Sequence, residues 1–459
     1  IVESNGTQLS DTSTASSLDL DSGGAIGDDG SADLTVTNNA DFADNSGAGI
    51  TLDDTYAFGT LTFNSTGAVQ IVESNGTQLS DTSTASSLDL DSGGAIGDDG
   101  SADLTVTNNA DFADNSGAGI TLDDTYAFGT LTFNSTGAVQ IVESNGTQLS
   151  DTSTASSLDL DSGGAIGDDG SADLTVTNNA DFADSGGAGI TLDDTYAFGT
   201  LTFNSSGAVE IVESNGTQLS GTGTANSLDL DSGGAVGDDG SADLTVTNNA
   251  DFADSAGAGI TLDDTYAFGT LTFNSSGSVE IVESNGTQLS GVSTANSLDL
   301  DSGGAVSDDG SADLTVTNNA DFADSAGAGI TLDDTYAIGT LTFNSIGAVQ
   351  IVESNGTQLS DTSTASSLNL DSGGAIGDDG SADLSVTNNA DFADSGGGGI
   401  ALDDSYAFGT LTFNSSGAVQ IVESDGTELS GASTANSLDL DSGGAIGDDG
   451  SADLSVTNN

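Results

Sequence analysis

The carboxylates are the side chains through which this sequence could do chemistry, and two groups of them recur: Asp19-x-Asp21 and Asp28-Asp29. Hard oxygen ligands flanked by glycine suit Ca²⁺. Asp19, Asp21, Asp28 and Asp29 are therefore the candidate metal ligands, repeated every 70 residues, and Ca²⁺ is the cofactor they would take. The spacing is not that of an EF-hand. Counted from Asp19, Gly24 falls where that loop needs glycine, but Gly23 and Gly30 stand where it needs oxygen ligands. The segment Gly23 to Leu34 carries a faint likeness to the Gly-Asp nonapeptide of calcium β-rolls, without tandem repetition. The plain alternative is that these aspartates make turns and keep the chain soluble. Asp53-Asp54 ranks below both groups as a ligand pair.

Other chemistry is largely excluded by composition. The chain has no Lys, Arg, His or Cys, so a nucleophilic triad lacks its base and its thiol. Clustered aspartates also serve pectin-degrading enzymes, but holding an anionic sugar without one cationic side chain is implausible. Every carboxylate is copied along the chain, which fits a lattice better than a single active site. The expectation is that the protein is not an enzyme. Asn5-Gly6-Thr7 and Asn64-Ser65-Thr66 match the N-glycosylation pattern, though such triplets arise easily in chains rich in Asn, Ser and Thr. Thr35, Thr37, Thr51 and Thr62 belong to different strands and read as outward strand residues, not as an ice-binding face.

What must position the carboxylates is a set of short alternating units: Leu18-Asp19-Leu20, Leu34-Thr35-Val36, Ile50-Thr51-Leu52 and Leu61-Thr62-Phe63. In a strand, successive side chains point to opposite faces, so the apolar residues of each unit face inward. Gly23-Gly24, Gly27 to Gly30, Asn38-Asn39, Ser46 to Gly49, Asp53-Asp54, Gly59 and Asn64 to Gly67 read as turns between them. Ser10 to Ser17 reads as a polar loop, and copies differ most there: Asp11-Thr12-Ser13 becomes Gly221-Thr222-Gly223 and Gly291-Val292-Ser293. The block recurs as copies 1–70, 71–140, 141–210, 211–280, 281–350 and 351–420, with a partial copy 421–459, in one continuous array over 1–459. Position 1 falls in mid-repeat, so the array is expected to be a segment of something longer.

No 3.6-residue apolar stripe occurs, and 65 glycines argue further against helix. The expected fold is all-β, a right-handed parallel β-helix or β-solenoid with about three coils per 70-residue repeat. The coils would run from Leu18 to near Ala40, from Asp41 to near Thr60, and from Leu61 through the next copy's loop at Ser87. Leu18 would then lie over Asp41 to Ala43, and those over Leu61 to Phe63. A β-sandwich array is the runner-up, although 70 residues is short for a unit of about 100.

The charge balance is extreme, with 73 Asp and Glu and no basic side chain. A polyanion offers no footprint for nucleic acid and is repelled by anionic lipid; no run approaches the roughly 18 apolar residues of a membrane span. Neither nucleic acid nor membrane insertion is expected. The expected partners are cations and further copies of the repeat, in filaments or bundles. Mutual repulsion should raise carboxylate pKa values on folding, so acid and salt should both stabilise the fold.

The order Gly67-Ala68-Val69-Gln70-Ile71, then Leu88-Asp89-Leu90, Gly93-Gly94-Ala95-Ile96, Leu104-Thr105-Val106 and Gly119-Ile120-Thr121-Leu122, resembles repeats of filamentous-hemagglutinin-type proteins. Every copy carries it. The family comprises very long bacterial surface adhesins and contact-dependent delivery proteins with parallel β-helical shafts, usually exported by a two-partner route. The resemblance implies an extracellular or cell-surface structural rod or filament, acting as stalk or fibre. An adhesin that binds a receptor or glycan through the repeat surface is the alternative. This chain shows neither the family's amino-terminal secretion domain nor a terminal effector, and the lack of Lys and Arg departs from the family's pattern.

Overall fold

A computed structural model describes residues 1–458. It contains two compact units, Ile1–Asn226 and Ser227–Asn459. Each is built from parallel strands, and no helix occurs among the described residues. In the first unit the strands are β1 (Val2–Glu3), β2 (Thr7–Leu9), β3 (Thr12–Ala15), β4 (Leu18–Ser22), β5 (Ile26–Asp28), β6 (Asp33–Asp44), β7 (Ile50–Ser65), β8 (Ala68–Glu73), β9 (Thr77–Leu79), β10 (Thr82–Ala85) and β11 (Ser87–Ser92), and the pattern then recurs. Away from the two ends, strands hydrogen-bond to the coils before and after them, which satisfies backbone donors and acceptors along the stack.

The expected stacking of unlike apolar residues is present. Leu18 pairs with Ala40 and Leu20 with Phe42; Ala40 pairs with Leu61 and Phe42 with Phe63. Leu20, Phe42 and Phe63 are all buried. Phe58 joins this core from the side, its ring 5.5 Å from Phe42 and 5.8 Å from Tyr56.

Residues expected to break strands turn out to be corners within them. β6 runs through Asn38-Asn39 and β7 through Asp53-Asp54 and Gly59. Pairing survives because the neighbouring coil bends at the same level; only the register slips, between Val36 and Asn39 and between Leu52 and Tyr56. Gly59 is required at its corner because a Cβ there would collide with the carbonyl oxygens of Thr37 and Asn38 in the coil below.

Ser10 to Ser17 is not the solvent loop that its composition suggests. In the next copy β10 pairs with Asp103 to Val106, and Ser80, Ser83 and Ala85 are buried. Hydroxyls replace apolar groups here because a corner leaves backbone groups to satisfy. The Phe63 amide donates to Ser83 Oγ at 3.1 Å, and Thr62 Oγ1 donates to the Ser80 carbonyl at 3.0 Å. The variable position Asp11 has a left-handed backbone, φ 54°, as do Asp81, Asp151 and Asp361. Its exchange for Gly221, Gly291 and Gly431 follows, since glycine adopts that conformation without strain.

The third coil also closes sooner than expected: Leu61 already pairs with Leu79, well before Ser87. About three coils per repeat holds, and the register refines it. The column Thr7, Ile26, Ile50, Val69, Leu88, Ala110, Leu131, Leu149 climbs seven coils, close to the length of two copies. Each copy thus takes about three and a half coils. Leu158, the counterpart of Leu88, belongs to a different column, Thr77, Ile96, Ile120, Val139, Leu158. Leu88 lies roughly midway along the chain between Thr77 and Ile96, so successive copies present equivalent residues on opposite walls.

Candidate functional site

The four aspartates picked out by spacing do not form one site. Asp19 and Asp21 stand on β4, with Asp19 in register with Asp41 of the next coil. Burial, then the charges of Asp19, Asp21 and Asp81, push Asp41 up. In the following copy burial, with Asp89, Asp91 and Asp151, pushes Asp111 up to about 6. One carboxylate oxygen of each, Oδ1, is buried without a hydrogen-bond partner. Repulsion between carboxylates is thus built into this wall.

Asp28 goes elsewhere. The long step from Ile26 to Ile50, which are paired in register, carries the end of β5 beside the Asp53 corner, and Asp28, Asp53 and Asp54 bring carboxylate oxygens within 4.8 Å of one another. Asp28 Oδ2 accepts the Tyr56 hydroxyl at 2.8 Å and the Asp53 amide at 2.9 Å. Burial opposes its charge, but these bonds outweigh burial and hold Asp28 below the ordinary range. Asp28's charge in turn pushes Asp53 up. Asp54 Oδ2 accepts the Ala32 amide at 2.9 Å. Asp29 is not part of the group: its Oδ1 closes a turn by accepting the Ser31 amide and hydroxyl, at 3.1 and 2.5 Å.

The pair that sequence ranked lowest, Asp53-Asp54, is therefore the one that the coil brings together with Asp28. The trio's chemistry is that of a hard-cation cluster, yet two of its oxygens are already engaged in holding corners of the wall.

Two buried carboxylates escaped the sequence reading, and their environments are opposite. Asp44 ends β6, with Oδ1 accepting the Ser46 amide and hydroxyl at 2.9 and 2.7 Å and Oδ2 accepting the Gly49 amide at 2.6 Å and Ser65 Oγ at 2.9 Å. Burial works against its charge, but four donors prevail and lower its pKa. Glu73 ends β8 and is 1% exposed. Its Oε1 accepts the Phe58 amide at 2.8 Å, while Oε2 and the neighbouring Thr77 Oγ1 are buried without partners. Burial pushes Glu73 up to about 7 against the pull of Thr77 and the Phe58 amide. A signal existed: Glu73 follows Val69 and Ile71 in the two-residue period, so its side chain points inward with theirs.

Both candidate glycosylation motifs use their amides in the wall. In the second copy Asn75 Nδ2 donates to the Phe58 carbonyl at 3.1 Å, and Asn64 Nδ2 donates to the Thr82 carbonyl at 3.3 Å. In the second unit an open concavity of about 580 Å³ lies over small residues, among them Gly356, Ala375, Gly377 and Ala401, with Ile338 where other copies carry Phe. Asp378 is its one carboxylate.

A family model described as repeats of unknown function matches residues 1–65, 66–135, 136–205, 276–344 and 346–414. No curated protein and no solved structure matches the chain. Among the described residues no helix is long and apolar enough to cross a membrane.

Proposed function

The chain belongs to the family Repeats of unknown function (DUF5649), and from that premise we propose that it serves as a structural rod, the shaft or fibre segment of an extracellular bacterial protein. The observation that carries the reading is the register: unlike residues of one repeat stack on each other, coil after coil, so the same wall can be extended by adding copies. The absence of Lys, Arg, His and Cys from the sequence supports a role without catalysis. The filamentous-hemagglutinin-type resemblance supports a cell-surface setting, in which such shafts hold other domains away from the cell. Self-association through further repeats and a loose cation atmosphere are the contacts this reading entails.

Electron microscopy of the recombinant chain tests it. Thin rods are expected, with a length on the order of 5 Å per coil; compact globules or beads on a string would overturn the proposal. Glycan-array and cell-binding measurements on the same chain distinguish the shaft from an adhesive surface, and the shaft reading expects no binding.

A further inference from the structure

Each repeat encloses a carboxyl group in a setting that lacks any cation. Glu73, Glu143, Glu213, Glu283 and Glu353 are each at most 2% exposed, and the chain contains no Lys, Arg or His that could pair with them. The geometry recurs at the first four, while at Glu353, which faces Ile338, both carboxylate oxygens are buried without a partner. Oε1 accepts the amide of the aromatic residue two positions after the buried tyrosine, at 2.8 Å for Phe58, 2.8 Å for Phe128, 2.9 Å for Phe198 and 3.0 Å for Phe268. This amide lies two residues past Tyr56, the last residue of β7 in register with β8, and Tyr56 is paired there with Glu73 itself. The glutamate supplies the acceptor for this amide, and the companion carbonyl of Phe58 is met by Asn75.

The second oxygen is the anomaly. Oε2 of Glu73, Glu143 and Glu283 is buried without a partner, and so is the hydroxyl of Thr77, Thr147 and Thr287 beside each. An ionised carboxylate so enclosed carries a large desolvation cost. The threonine hydroxyl could donate to an ionised Oε2, but that leaves the charge buried; a proton removes the charge, and the neutral acid can donate from Oε2 to the hydroxyl while Oε1 still accepts from the amide. We propose that these glutamates are carried into the fold as neutral acids, one proton-binding site per repeat, and that the solenoid tightens on mild acidification by taking up protons at them.

The groups packed against Glu73 contain no competing base. β7 faces it with Tyr56, whose hydroxyl is held by Asp28, and β11 faces it with Ser92. The other titratable groups on these strands are Asp53 and Asp54 on β7 and Asp89 and Asp91 on β11, all outside the buried set. They add negative charge and so favour the proton. Burial places the folded value at about 7 against an ordinary 4.5, so the folded state binds more protons than the unfolded one between those values. The contribution to stability is complete below about 4.5 and is lost as pH rises through about 7. Each such group changes the unfolding constant by up to about tenfold per pH unit inside that window.

The test replaces Glu73, Glu143, Glu213, Glu283 and Glu353 together by Gln in the full chain. Glutamine keeps the acceptor and supplies Nε2 as a permanent donor to threonine. The expected variant melts higher than the parent above pH about 7 and has lost most of the rise in melting temperature between about 7 and 5. A variant that follows the parent's pH profile, or melts lower at every pH, overturns the proposal. Should the variant fail to fold, infrared spectra of the parent with ¹³C-labelled glutamate decide. An isotope-shifted protonated-carboxyl band at pH about 6 supports the neutral acid, and its absence refutes it.

Discussion

Tyr56 donates its hydroxyl to Asp28 Oδ2 at 2.8 Å across 28 residues of chain, tying a buried ring to a surface corner of the preceding coil. The same bond joins Tyr126 to Asp98 and Tyr196 to Asp168, each at 2.8 Å. Removing it with Tyr126→Phe leaves the ring packed and takes one donor from a carboxylate, a loss of about 1.5–3 kcal/mol. Hydrogen exchange should report that loss locally, at amides of the Asp98 and Asp123 corners. Unchanged protection there would show that the bond contributes nothing.

Asp114 repeats the arrangement of Asp44, accepting the Ser116 and Gly119 amides and the hydroxyls of Ser116 and Ser135. Asp114→Ala strands these donors inside a buried turn and should cost about 3–5 kcal/mol. The group's folded pKa is depressed, so its stabilisation is present above the ordinary value of 3.8 and is lost as pH falls below it. The Asn115 to Gly119 turn is therefore expected to open first in strong acid. Pepsin cleavage mapped by mass spectrometry checks this, and first cuts within Thr82 to Ala85 would contradict it.

Substitutions at two small turn positions should differ sharply. Gly199→Ala places a Cβ against the Thr177 and Asn178 carbonyls, and backbone cannot yield as a side-chain tip can. A loss of about 1–3 kcal/mol is expected. Asp81→Gly should be close to neutral, because the left-handed backbone there already suits glycine and other copies carry it. Thermal melts of the two variants beside the parent test the contrast.

Cations should stabilise the chain chiefly by screening. Adding NaCl is expected to raise the melting temperature, and micromolar Ca²⁺ should add nothing beyond its ionic strength. The residues to watch are Asp28, Asp53 and Asp54 and their counterparts. A steep, saturable Ca²⁺ response with a fixed stoichiometry per repeat, abolished by Asp54→Asn and its equivalents, would instead identify the trio as a specific site.

Much of the architecture was legible because period-two alternation survives in every apolar unit. Leu18, Leu20, Ile50, Leu52, Leu61 and Phe63 could be assigned to the inner face, and the order of stacking followed from coil length. The closing of the third coil was not legible, since Ser80 to Ala85 builds wall from hydroxyl groups that hydropathy reads as loop. The acidic sites were harder still. Asp28 and Asp53 stand far apart in the chain, and only the in-register pairing of Ile26 with Ile50 brings them together. Glu73 was visible in phase with Val69 and Ile71, but its charge concealed that it points inward.

The half-coil left over in each repeat gives copy number a parity. Inserting or deleting one 70-residue copy would leave every coil intact and yet turn whatever follows it within the stack to the opposite wall. Gaining or losing copies in pairs would change reach alone. Because residues 1–70 and 71–140 are identical, a recombination between such copies could reverse the wall on which every later repeat presents its residues without altering a single residue of them.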